Sequence, residues 1–84
     1  MPGPTVKTQL LGAVERALDG DWGSAHRIVQ EIDDPVAAWI HAVVHRMEGD
    51  VSNARYWYRR CGRQLREDVS TTVELQEIKA VLLD

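Results

Sequence analysis

The dipeptide Gly-Asp occurs at Gly20-Asp21 and again 29 positions further on at Gly49-Asp50, and no other feature limits so strongly what this chain can fold into. Glycine ends a helix by taking the left-handed conformation that other residues avoid, and the aspartate after it accepts from the free N–H groups that open the next helix. Each pair therefore predicts helix, tight turn, helix. Shifting the chain by the same offset places Ala13 on Ala42, Val14 on Val43 and Ala25 on Ala54 as identities. Leu11 with Ile40, Leu18 with Met47, Val29 with Tyr58 and Ile32 with Cys61 keep their apolar character. The chain reads as an internal repeat of a helical hairpin.

The remaining helices follow from spacing and capping chemistry. Thr5 is placed to cap a first helix running to about Asp19, with Leu10, Leu11, Val14, Ala17 and Leu18 as its apolar stripe. Asp21 caps a second, whose buried face is Ala25, Ile28, Val29 and Ile32. Asp34-Pro35 opens a third that runs to Glu48, since proline's missing donor is no loss in a first turn. The fourth starts after Asp50 and either stops at Gly62 or continues to about Arg66. Thr71-Thr72-Val73-Glu74 has the spacing of a capping box, and Val73, Ile78, Val81 and Leu82 supply a fifth helix with an apolar face. The expected fold class is all-α, with five helices in one domain over residues 1–84. Two antiparallel hairpins, at about 5–33 and 35–62, are followed by a covering helix at about 71–83 that closes the open end of the second.

At 84 residues the chain has material for a single core, and 44% hydrophobic with 27% charged residues is an ordinary globular balance. Cys61 is the only cysteine, which excludes an internal disulfide or a thiolate metal cage. Met1-Pro2-Gly3-Pro4 lacks the pattern of a secretory signal and no apolar run is long enough to span a bilayer, so a cytoplasmic protein without a membrane partner is expected. A net charge of −3 argues against a general nucleic-acid partner. Against that total, Arg55, Arg59, Arg60, Arg63 and Arg66 crowd into one segment.

The segment Gly49-Asp50-Val51-Ser52-Asn53-Ala54-Arg55-Tyr56-Trp57-Tyr58-Arg59-Arg60-Cys61 resembles the second half of a tetratricopeptide repeat, with Ala54, Tyr58 and Cys61 at the small, aromatic and small packing places. Gly20, Asp21, Ala25 and Val29 match the same pattern in the first unit, although the spacing of 29 is shorter than the family's period of about 34. The resemblance covers most of residues 8–62. It implies a helical-hairpin array with a concave binding face, and no catalytic residue. The run from His41 through Arg60 also resembles small uncharacterised bacterial and fungal proteins with a His-Ala-x-x-His-Arg-x-Glu-Gly-Asp segment followed by Asn-Ala-Arg-Tyr-Trp-Tyr-Arg-Arg, a likeness that implies no mechanism.

On the third helix Val36, Ile40, Val43 and Met47 share one face, while His41, His45 and Glu48 fall together on the opposite side within apolar surroundings. Three readings compete for this polar seam. In the structural one each imidazole satisfies a backbone or carboxylate partner and holds the hairpins in register. In the second the three side chains line a groove for a peptide or small anion. The third is a site for zinc or another divalent transition metal on His41, His45 and Glu48, because histidines at i and i+4 can share one ion and Glu48 can supply an oxygen, with at least one more ligand needed from His26 or a carboxylate. His26 by itself reads as a boundary histidine with one hydrogen bond.

Trp22, Trp39 and Trp57 are expected as core anchors, and Tyr56 points away from the core toward a ligand. The arginine strip reads first as partners for Glu67, Asp68, Glu74 and Glu77 in the following segment, and alternatively as an anion site around Arg55 and Arg59. Ser24, Ser52 and Ser70 sit at helix starts and Cys61 in a core position, so no nucleophile and base can be assembled. The sequence thus favours a small binding or scaffold module for an unidentified protein, peptide or anion, with self-association as one way to extend its surface. Candidate binding residues are His41, His45, Glu48, Tyr56, Arg55 and Arg59. The alternative is a small metal-dependent or histidine-assisted enzyme centred on His41 and His45.

Overall fold

The computed structural model describes residues 5–84; the Met1–Pro4 segment read for a secretory signal lies outside them. It is all-α. Five helices follow in order: α1 (Val6–Leu18), α2 (Trp22–Val29), α3 (Pro35–Met47), α4 (Val51–Arg60) and α5 (Thr71–Leu83). None is long and apolar enough to cross a membrane.

The helix boundaries are set by one device used three times. At Gly20 (φ 87°), the glycine N–H donates to the Ala17 carbonyl and the next residue's N–H to that of Arg16. Gly49 (φ 85°) repeats this with Arg46 and His45, and Gly62 (φ 73°) with Arg59 and Tyr58. This reciprocal closure satisfies the last carbonyls of each helix. After the first two glycines an aspartate follows, and Asp21 and Asp50 at once accept from the N–H groups of Ser24 and Asn53 at 3.2 and 3.3 Å. Gly62 ends α4 at Arg60, but Arg63 follows it and has no oxygen to cap with, so no helix starts there and the chain stays irregular up to Ser70. Asp34 opens α3 by accepting from Val36 and Ala37, with Pro35 in the first turn.

α3 is the central element. It packs on all four other helices, and eight of its residues are buried. α1, α3 and α5 touch one another pairwise, α2 lies on α1 and α3, and α4 lies on α3. The core runs through Leu10, Val14 and Ala17 of α1, Ile40, Val43 and Val44 of α3, Tyr58 of α4, and Leu75 and Ile78 of α5. α5 therefore bridges both units rather than capping the second alone.

Three expectations are corrected. Trp22 is 39% exposed rather than a core anchor, because it stands in the first turn of α2, before the helix meets its neighbours. Ser70, not Thr71, caps α5 through the Val73 N–H at 3.1 Å. The buried face of α5 is also not the expected one: Val73 and Val81 are exposed, and Glu74 faces the core beside Leu75 and Ile78. Glu74 is only 1% exposed. It accepts at 2.7 Å from each of three donors: Trp39 Nε1 on one oxygen, and Arg46 Nη1 and Tyr58 Oη on the other. Arg46 also donates to the Val69 carbonyl at 2.7 Å, tying the irregular segment to α3. Burial and the Glu74 contact together push the Tyr58 phenol well above the usual range.

Candidate metal centre

His41 and His45 lie one turn apart on α3, and α2 brings His26 against both. Ala25, beside His26, is fully buried, and α2 packs on both α1 and α3. Ring centroids are 4.6 Å apart for His26 and His41, 5.4 Å for His26 and His45, and 5.0 Å for His41 and His45. One ring nitrogen from each of the three lies within 4.8 Å of the other two. Tetrahedral nitrogens around an ion bound at about 2.0–2.1 Å sit roughly 3.3 Å apart, so small side-chain rotations would close the set onto one ion.

Three observations bear on the chemistry of this cluster. His41 is held neutral: burial foremost, then the neighbouring His26 and His45 imidazoles, lower its pKa to about 4. A neutral imidazole keeps the lone pair that a metal needs. Next, His45 Nδ1 is 2.5 Å from a Glu48 carboxylate oxygen. An ionised carboxylate only accepts, so Nδ1 carries the proton and Nε2 is left with the lone pair. A carboxylate behind a histidine in this way is the outer support that metal-ligating histidines use. Last, His45 to Glu48 is the one side-chain hydrogen bond made by any of the three histidines, yet no fully buried side-chain nitrogen or oxygen among the described residues lacks a partner. The unbonded ring nitrogens of His26 and His41 are therefore not wholly enclosed, although His41 as a residue is only 5% exposed.

His45, Glu48 and Asp50 form a second close group. Its oxygens are less available. Asp50 accepts from the Asn53 N–H and, at 2.6 Å, from the Asn53 side-chain amide, and these bonds hold its carboxyl below the usual range.

Of the sequence candidates, His41, His45 and Glu48 do come together, and His26 joins them from the neighbouring helix. Trp57, expected only as a core anchor, is part of the site: its ring stacks on His41 with centroids 3.8 Å apart and planes 12° from parallel. Arg60 lies over the same indole at 5.1 Å and donates to the Tyr56 hydroxyl at 3.2 Å. Tyr56 is exposed, edge-on to Trp57, and so lies at one remove from the imidazoles. Arg55 and Arg59 line a different cleft that contains no histidine. Cys61 is no candidate ligand, since burial pushes its thiol upward and its Sγ points at the Tyr58 carbonyl.

No family model, curated protein or solved structure matches this chain.

Proposed function

We propose that this protein binds one divalent transition-metal ion, zinc in the first instance, through His26, His41 and His45. The helical array serves as the scaffold for that site. The observation that carries the reading is the convergence of three imidazole nitrogens from two helices, with a single side-chain hydrogen bond among them. In a structural cluster each ring would be tied to a carbonyl or carboxylate; here two of the three are not. Glu48 is assigned as the residue that orients His45, and Trp57 as the wall that fixes the plane of His41. Nitrogen ligands suit zinc, copper and nickel over calcium or magnesium, which prefer oxygen. A three-histidine set leaves a coordination position open, the arrangement in which such an ion supplies Lewis-acid chemistry to a bound water or carbonyl. Tetratricopeptide-like pairing of the hairpins is part of the same proposal, supported by the repeated glycine closure and by the α1–α2 and α3–α4 contacts.

The test is a calorimetric titration of the chelator-treated chain with zinc, in parallel with His26→Gln. His26 is half-buried and its side chain makes no hydrogen bond among the described residues, so its replacement is expected to leave the fold intact. One ion per chain, with affinity falling about 100-fold in the variant, is expected on losing one of three protein ligands. Zinc binding that is unchanged in His26→Gln, or absent from the parent chain, would overturn the assignment. In that case the binding-module reading, with the histidines as register-holding groups, takes its place.

A further inference from the structure

We infer that the cleft between the end of α4 and the irregular segment after it is a binding site for a phosphoryl group, either free phosphate or a phosphate monoester, held by Arg55, Arg59 and Arg63. The three guanidiniums follow at four-residue intervals along one side of α4 and past the Gly62 turn. With Tyr58, Gln64 and Leu65 they line a cleft of 240 Å³. That volume is below the roughly 300–1,000 Å³ of sites for larger organic ligands and suits a small anion.

The charges in this cleft are only partly compensated from within the protein: Glu67 meets Arg55 weakly, and Glu77 acts on Arg63 from the neighbouring cleft that Trp39 lines. Arg46 and Arg66, the other arginines nearby, are occupied by Glu74 and Glu77. Arg55 reaches only Glu67, at 3.4 Å, and those side chains are 51% and 79% exposed, so the pair is weak. Arg59 has no ion pair and no side-chain hydrogen bond among the described residues. Arg63 has its guanidinium carbon 3.4 Å from the centroid of the Trp39 ring. Stacking occupies the face of a guanidinium and leaves its N–H edges free to donate, while fixing its plane in advance of binding. Of the three positive groups Arg59 has no carboxylate partner among the described residues, Arg55 has one exposed partner, and Arg63 has Glu77 on its other side, on a chain whose net charge is −3.

The negative end of α4 does not cancel this field. Two of its last carbonyls are occupied, Tyr58 O by the N–H groups of Cys61 and Arg63 and Arg59 O by that of Gly62, which reduces the charge at that end. A carboxylate ligand would use one guanidinium fork, whereas a tetrahedral dianion offers oxygens to all three. RNA would need a wider basic face than this short strip. The Tyr58 hydroxyl is committed to Glu74, so recognition rests on the arginines and the Gln64 amide.

The experiment follows the arginine Nε–Hε signals of the full chain by NMR at constant ionic strength. Inorganic phosphate, O-phosphoserine and acetate are added in turn, the last as a control for charge alone. Saturable shifts at Arg59 and Arg63 with phosphate or phosphoserine, and none with acetate, are expected. Saturation by both anions means that the phosphoryl group suffices, and saturation by phosphoserine alone identifies a monoester; either supports the site. Arg59→Gln should weaken binding about tenfold, the effect of one charge-assisted contact, with no change in melting temperature. Arg60→Gln, outside the cleft, should leave the affinity within about twofold. Non-saturating shifts that acetate reproduces, or an Arg59→Gln affinity equal to the parent's, would refute the site.

Discussion

Replacing Glu74 by glutamine removes one charge and changes no volume, and the structure predicts a large loss of stability. One Glu74 oxygen accepts from both Arg46 and Tyr58, the other from Trp39. If the oxygen of the introduced amide took the first place, its NH2 group would face the Trp39 indole N–H, donor against donor. Leaving that buried donor unpaired costs about 1–3 kcal/mol. The reverse rotamer is worse, since it sets the amide donors against a guanidinium. In either case the Arg46 side chain, 13% exposed, loses its counter-charge, and breaking such a buried pair costs about 3–5 kcal/mol in other proteins. These penalties overlap, so a net loss of about 3–5 kcal/mol is expected, or about 15–30 °C in the melting temperature of a domain this size. The assay is thermal unfolding by circular dichroism beside Glu77→Gln, which breaks a half-exposed pair with Arg66 and should cost at most about 1 kcal/mol. An E74Q protein melting within about 3 °C of the parent would show that the carboxylate is not compensating a buried charge.

Acid should destabilise the fold through His41. Its pKa is about 4 when folded and about 6.5 when unfolded, so between those values the unfolded chain binds more protons. Stability is therefore whole above about pH 6.5 and falls by about 2–3 kcal/mol as the pH drops through 4, with His41→Gln flattening that slope in chemical denaturation across the same range. Two glycines should respond to alanine with opposite signs, although a Cβ would meet nothing within 4 Å at either. At Gly49, with φ 85°, Gly49→Ala should lower the melting temperature by about 4–8 °C per kcal/mol for a strain of about 1–2 kcal/mol. In the interior of α1, Gly12→Ala should raise stability by about 0.5–1 kcal/mol, read from denaturant midpoints.

Local chemistry made the helix starts legible. Asp21, Asp34 and Asp50 each act within three residues, so no knowledge of the fold is needed to read them. The end of α4 was legible in principle, because Gly62 closes its helix as Gly20 and Gly49 do; what separates it from them is the arginine that follows, where an aspartate would have opened a new helix. His41, His45 and Glu48 could be grouped from spacing along one helix. His26 could be named with them only as one possible further ligand, since its partnership depends on how closely α2 settles on α3. Glu74 was least legible. A carboxylate is ordinarily a surface residue, and its burial arises from three donors, at positions 39, 46 and 58, that only the tertiary fold gathers.

The distance along the chain between Glu74 and those donors also orders assembly during folding. α3 and α4 can pair early through contacts close in sequence, whereas α5 must return across a longer loop. Until α5 arrives, however, the Arg46 guanidinium must keep its water, and water held there leaves the hairpin unsealed. Docking of α5 delivers the acceptor and expels that water in one event, so a chain truncated before residue 74 should remain vulnerable to proteases while the chain that includes α5 resists them.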